Sequence, residues 1–372
     1  MRMAGEIIQF VPRLWAPSDG VADYARTLAS ALRDVAEIGT RFLRGDPTEQ
    51  ERDHHDFCAD RSARVEARSP TQVVAALEKL RATPCSGSRS TVLLHYVNYG
   101  YAPRGCPFWL VAGLERWKKR NPRARLAVMF HEIYASGPPW RSAFWMAPIQ
   151  RHLAGRLLRL GDHIATSAEL YGNALAAMAP DCREKIVLRP VFSTIGEPRH
   201  DIAWNTRRPW LVVLGRSGIE ARAYDRHRIA LTTTARRLAI EKILDIGPRA
   251  AVVPSDLEGI PVQAMGHLPR EDVSRLLSES RAGFLDYPSD VLGKSTVFAA
   301  YCAHGVVPII TRLRGVGLDG LHEGAHFILA SMDRSGAPPA MGMLETVSVA
   351  VSDWYRSHAL SAQAVALSRL LV

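Results

Sequence analysis

The sequence predicts two doubly wound α/β domains in tandem. Three observations carry that prediction. Short apolar runs alternate with helical periodicities from Glu6 to Leu188, a proline-rich polar segment interrupts them over Arg189–Pro209, and the alternation restarts at Trp210. Strands separated by helices imply parallel sheets covered on both faces. A chain of 372 residues is long enough for two separate cores. The expected boundaries are 1–195 for the first domain, 196–345 for the second, and 346–372 for closing helices.

In the first half, Glu6–Val11 reads as a strand. A helix follows from Val21, with Val21, Tyr24, Ala25, Leu28 and Leu32 on one face. Asp19 or Ser18 suits its cap. Glu37–Leu43 is a second strand, and the charged stretch Asp46–Ser69 reads as a loop or short exposed helix. Thr71–Arg81 is helical. Thr91–Val97 is a strand that runs into a polar, aromatic loop at Asn98–Tyr101. Phe108–Arg120 is an amphipathic helix stopped by Asn121-Pro122. Leu126–Phe130 is a strand ending at His131-Glu132. A helix over Ser142–Leu160, a strand at His163–Thr166, a helix over Glu169–Met178 and a strand at Ile186–Leu188 complete this half.

Arg189–Pro209 reads as an interdomain linker. Beyond it, Trp210–Leu214 is a strand ending in Gly215-Arg216-Ser217-Gly218. A helix over Asp225–Leu238, strands at Ile243–Ile246 and Val262–Met265, and a helix over Pro269–Ser278 follow. Ala282–Leu285 is a buried strand. Gly293-Lys294-Ser295-Thr296 then opens a helix that Gly305 closes, and Val306–Ile310 is the next strand. Leu344–Val372 reads as two consecutive helices.

Composition narrows the class. At 47% hydrophobic and 23% charged the chain is ordinary for a globular protein. No apolar run approaches the roughly 20 residues that span a bilayer, and Glu6 interrupts any leader-like apolar segment, so cytoplasmic residence is the expectation. The five cysteines are scattered, which argues against a disulfide framework or a zinc site. Neither a metal nor a cofactor is expected. The net charge is +10, with a basic concentration between Arg104 and Arg125 against Glu115 alone. Such a patch suits phosphates or a peripheral membrane face, and its plainer reading is a solvated helix surface. No nucleic-acid-binding module is visible, so that partner is not expected.

Ligands of doubly wound sheets sit beyond the carboxyl ends of the strands, and two such domains can face each other there across a cleft. Gly20 would let a ligand approach the backbone. Lys294, Ser295 and Thr296 place a cation, hydroxyls and unpaired N–H groups at a helix start, which suits a phosphate. A Walker-type loop is excluded, because it needs a glycine where Pro288 stands. Arg216 offers a bidentate guanidinium to a diphosphate. Asp19 is a candidate base near an acceptor hydroxyl, against its plainer role as a cap. Tyr134, Trp140 and Trp145 are candidates for an acceptor surface, against core packing. His95, Tyr99, Tyr101, Asp286 and Tyr287 also lie near strand ends.

Four passages, in chain order, resemble the GT-B glycosyltransferases and, within them, the retaining sugar-nucleotide transferases of family four. They are Ser18–Ala25, Val128–Glu132, Val212–Arg216 and Ala299–Pro308. The resemblance implies two Rossmann-like domains, with the acceptor on the first and a nucleotide sugar on the second. It also implies that the closing helices return to the first domain. His131 would lie beside the donor sugar, and Arg216 would hold its phosphates. The acceptor would be a saccharide, a lipid-linked intermediate or a small molecule. The family's Glu-x7-Glu pair is missing, because Leu292 and Ala300 occupy those positions. A non-catalytic nucleotide-binding or scaffold protein of the same fold is therefore the alternative, and an epimerase of that fold a third reading.

Overall fold

Seven strands make the first sheet: β1 (Gly5–Val11), β2 (Ile38–Arg44), β3 (Ser62–Arg64), β4 (Thr91–Tyr96), β5 (Arg125–Phe130), β6 (His163–Thr166) and β7 (Ile186–Leu188). Their order is β3-β2-β1-β4-β5-β6-β7, and every pairing is parallel. The structure is a computed structural model that describes residues 5–15, 19–50, 62–81, 91–135, 137–200, 202–215, 223–248, 253–315, 317–333 and 341–371. The helices of this half are α1 (Gly20–Ala36), α2 (Pro70–Arg81), the single turn α3 (Asn98–Tyr101), α4 (Phe108–Arg120), α5 (Ser142–Leu160) and α6 (Glu169–Met178). Helix α1 buries Tyr24, Ala25, Leu28 and Leu32, four positions of the predicted stripe. Its start is fixed by Asp19, whose Oδ1 accepts from the N–H groups of Val21 at 2.9 Å and Ala22 at 3.3 Å.

The second sheet contains β8 (Arg208–Leu214), β9 (Lys242–Ile246), β10 (Asp256–Leu257), β11 (Ile260–Gly266), β12 (Ser280–Pro288), β13 (Val307–Arg312) and β14 (Ile328–Leu329). Its order is β10-β11-β9-β8-β12-β13-β14, parallel except for the short β10–β11 hairpin. Helices α7 (Arg228–Arg237), α8 (Arg270–Glu279), α9 (Thr296–Ala303) and α10 (Met341–Arg356) belong to it, and α11 (Leu360–Leu371) closes the chain. Met1–Arg189 with Ser361–Val372 forms one compact unit, and Pro190–Leu360 the other. Of the two closing helices, α10 thus stays in the second unit while almost all of α11 belongs to the first.

Both sheets are tied at their centre by the same device. In the first unit the buried Tyr101 hydroxyl lies 2.9 Å from Phe10 O on β1 and 3.1 Å from His95 O on β4. In the second, the buried Tyr301 hydroxyl lies 3.1 Å from both Val212 O on β8 and Phe284 O on β12. Each tyrosine bridges the two strands at which strand order reverses, where such sheets bind ligands.

Several expectations are corrected. The linker reading of Arg189–Pro209 fails, because Val191, Phe192 and Ser193 are buried. Val191 N–H donates to Gly293 O at 2.7 Å, and Ser193 N–H to Tyr355 Oη at 3.0 Å. Proline there marks irregular backbone, not freedom. Asn98–Tyr101 is a helical turn rather than a loop, and its Tyr101 is core. The charged stretch after Asp46 contributes β3, which pairs with β2 through Phe42, Leu43 and Arg44.

Candidate functional site

The second unit places the loop between β12 and α9 at its switch point. Ser289–Lys294 forms a 3-10 turn there. The turn is pinned from both sides: Ser289 Oγ donates to Arg314 O at 2.6 Å and lies 2.7 Å from Arg314 N. Gly293 N–H donates to Asp319 Oδ2 at 3.3 Å. Ser295 is buried and caps α9, its Oγ accepting from Phe298 N–H at 3.1 Å. The Ser295 hydroxyl is thus engaged by its own helix. Lys294 and Thr296 flank it, both half-buried, at the helix start. A helix start with a lysine beside it is electropositive by geometry alone. Leu292 and Ala300 are both fully buried in apolar core.

Asp286, near the end of β12, is 3% exposed at its side chain, and Thr311, His227 and Arg312 are among its partners. Thr311 Oγ1 donates to its Oδ1 at 2.6 Å. His227 Nε2 lies 3.2 Å from the same oxygen, and Arg312 Nε lies 3.4 Å from it. On the adjacent edge Tyr224 Oη donates to Asp245 Oδ2 at 2.8 Å. Burial pushes the Asp245 carboxyl above its ordinary range, and the tyrosine hydrogen bond opposes that. Arg216 lies outside the described residues.

In the first unit the carboxyl ends of β1, β4 and β5 carry a polar chain. Gln9 Oε1 is 2.7 Å from His95 Nε2, and His95 Nδ1 is 3.1 Å from His131 Nε2. Gln9 and His95 are completely buried, and His131 is half-buried just beyond β5. The His131 and Glu132 N–H groups both point at Tyr96 O, at 3.0 and 3.3 Å, which fixes the backbone of the loop. The two imidazoles stack with centroids 5.4 Å apart, and Tyr24 of α1 meets the His131 ring edge-on at 5.1 Å. Burial, with His131 alongside, holds the His95 pKa well below that of an ordinary imidazole. His95 also borders a cavity of about 20 Å³ walled largely by Leu28, Leu93, Met129, Ala165 and Leu367.

The other expected positions scatter. Gly20 is the first residue of α1, next to the capping Asp19. Tyr134 packs against the core of the first unit and is covered by Arg151, whose guanidinium lies 4.3 Å from the ring centroid and 3.0 Å from the hydroxyl. Trp140 is 83% exposed and Trp145 65% exposed, so neither is core. In the basic stretch, Lys118 pairs with Asp162 at 2.5 Å, while Arg116, Lys119, Arg120 and Arg123 remain exposed. Sequence reasoning missed Gln9 and Tyr24. Gln9 left a signal, a polar residue inside the apolar run Ile7–Val11, whereas Tyr24 reads as one more residue of a helix stripe.

No protein-family model and no curated protein matches the sequence. Solved structures do. A pneumococcal O-GlcNAc transferase, GtfA, in complex with UDP and GlcNAc has a TM-score of 0.58 at 11% identity, covering 100% of this chain and 96% of that one. An α,α-trehalose-phosphate synthase (UDP-forming) from Burkholderia xenovorans with glucose-6-phosphate has a TM-score of 0.57 at 12% identity, covering 99% and 100%. An α-glucosyltransferase in complex with UDP and DNA has a TM-score of 0.56 at 12% identity, covering 98% of both chains. The fold is GT-B. Two seven-stranded, mostly parallel sheets and matches over nearly the full chain agree on it. Among the described residues no helix is long and apolar enough to cross a membrane.

Proposed function

We propose that this chain is a glycosyltransferase that moves a sugar from a nucleotide-sugar donor to a saccharide, lipid-linked or small-molecule acceptor. The observation that carries the reading is the pinned turn Ser289–Lys294 running into the start of α9 at the switch point of a GT-B fold. Lys294 meets the diphosphate charge, joined by Arg216, and the N–H groups at Thr296 add donors to the leaving group. Side-chain cations in that role make the transfer metal-independent. The UDP named with several of the structural neighbours makes a uridine diphosphate sugar the first donor to try. His131 contacts the transferred sugar, and Asp19, Tyr134 and Trp140 belong to the acceptor side. Retention of anomeric configuration follows the family resemblance, with a leaving-phosphate oxygen taking the acceptor proton. The exposed arginines and lysines of α4 are the surface for contact with an anionic membrane face.

UDP and a panel of UDP sugars should raise the melting temperature of the protein. Lys294→Ala should weaken UDP binding by roughly tenfold, as expected for a charge-assisted contact worth about 1.5 kcal/mol. An unchanged affinity would remove Lys294 from the site, and no shift with any nucleotide would remove the enzyme reading. EDTA should leave turnover unchanged.

A second reading, a nucleotide-binding protein without transfer activity, is favoured by one specific observation: the buried Leu292 and Ala300. UDP binding without hydrolysis or transfer of any donor would select it.

A further inference from the structure

The Gln9–His95–His131 chain has a direction, and the direction can be read from its two distances. The Gln9–His95 contact is 2.7 Å and the His95–His131 contact 3.1 Å. A separation of 2.7 Å suits N–H···O and is short for an amide N–H pointing at a ring nitrogen, while 3.1 Å suits N–H···N. The oxygen of Gln9 therefore faces His95, so the hydrogen of His95 sits on Nε2. Complete burial, with His131 alongside, keeps the ring neutral. A neutral imidazole with Nε2–H has a lone pair on Nδ1, and the hydrogen of the second contact must come from His131 Nε2.

We propose that Gln9 and His95 are positioning residues for His131, fixing it with its hydrogen on Nε2. This rests on the glycosyltransferase reading only in so far as it assigns His131 to the transferred sugar; the chain itself is independent of that reading. The direction matters chemically. With Nε2–H donating to His95, His131 can become an imidazolium at Nδ1 without breaking the contact. In the reverse direction the Nε2 lone pair of His131 is the acceptor, and protonation there breaks it. Tyr24 of α1 lies edge-on to both rings, and Glu132 follows His131 in the chain. The geometry holds the orientation of His131 at the end of a strand through two fully buried residues.

Long-range 1H–15N spectra of histidine-labelled protein report which ring nitrogen of each histidine bears hydrogen. His95→Phe and His131→Asn assign the two residues. The expected result is the Nε2–H pattern for both His95 and His131. An Nδ1–H pattern for His95 would overturn the proposal. In Gln9→Leu, similar in volume and without the carbonyl, the Nε2–H signature of His95 should weaken. Donor turnover should fall by roughly tenfold with KM for the donor held, as for a misplaced group remote from the binding contacts. If the tautomers hold in Gln9→Leu, the chain is not set by Gln9 and the proposal fails. If they change while no protein turns over any donor, the chain stands and the transferase reading falls. Far-UV circular dichroism and melting of Gln9→Leu separate a folding defect from a positioning one, and the tautomers of the parent protein decide the direction without any variant.

Discussion

The Tyr301 ring lies so close to Gly283 that a β-carbon at position 283 would stand 2.5 Å from Tyr301 Cζ. The absent side chain lets α9 place its tyrosine across β12 and reach β8, where Leu214 N–H also donates to its hydroxyl at 3.2 Å. The start of α9 is thereby held at the strand ends that carry the candidate phosphate site. Gly283→Ala is expected to cost about 1–3 kcal/mol through overpacking. Tyr301→Phe should cost a similar amount, about 1–3 kcal/mol, by leaving buried backbone groups unpaired. Urea midpoints with unchanged m-values would check both.

Asp19 separates structure from chemistry. Asp19→Ala removes the α1 cap and should lose about 1 kcal/mol, whereas Asp19→Ser keeps a capping oxygen and should lose only a few tenths. Turnover in Asp19→Ser then reads the carboxylate's own role at the acceptor, free of the helix effect.

Two buried histidines predict an acid-side loss of stability. His304 accepts from Ser274 at 2.7 Å on Nε2, and its Nδ1–H donates to Ala300 O at 2.7 Å. Burial lowers its pKa to about 4, and lowers that of His358, packed on Trp354, also to about 4. Both folded-state values lie below the ordinary 6.5, so between the two the unfolded chain binds more protons. Stability should therefore fall as pH drops from about 6.5 to about 4, by at most about 3 kcal/mol per group. Urea midpoints across that window should show the slope, and His304→Gln should flatten it.

Asp286 sits between His227 and Arg312. Asp286→Ala leaves His227 and Arg312 facing each other without the carboxylate. The loss should reach about 3 kcal/mol, the low end for breaking a buried pair, because Arg312 is 41% exposed and water screens part of it. A change under about 0.5 kcal/mol in thermal unfolding would show that the cluster contributes little.

Long elements were legible because their patterns are local. The stripe of α1, the apolar runs of β1, β4, β5 and β8, and the strand–turn–helix around Lys294 all sit within short windows of sequence. Strands β3, β10 and β14 span 3, 2 and 2 residues. Such segments have no periodicity of their own, and a neighbouring strand decides them. The proline-rich segment after Arg189 misled for a related reason: composition reports poor helix and strand propensity, while the burial of Phe192 depends on tertiary packing.

The sequence by itself determined the alternation of the longer strands and helices, the two-domain α/β class and the position of Lys294 at a helix start. Those follow from the spacing of apolar residues and from turn chemistry, which act over a few residues. Only the tertiary structure decided that Gln9, His95 and His131 form one chain. Their contacts join residues 86 and 36 positions apart, and no local pattern encodes them. Parallel strands bring such positions side by side at one sheet edge, where burial strips water from Gln9 and His95 and makes them pair with each other.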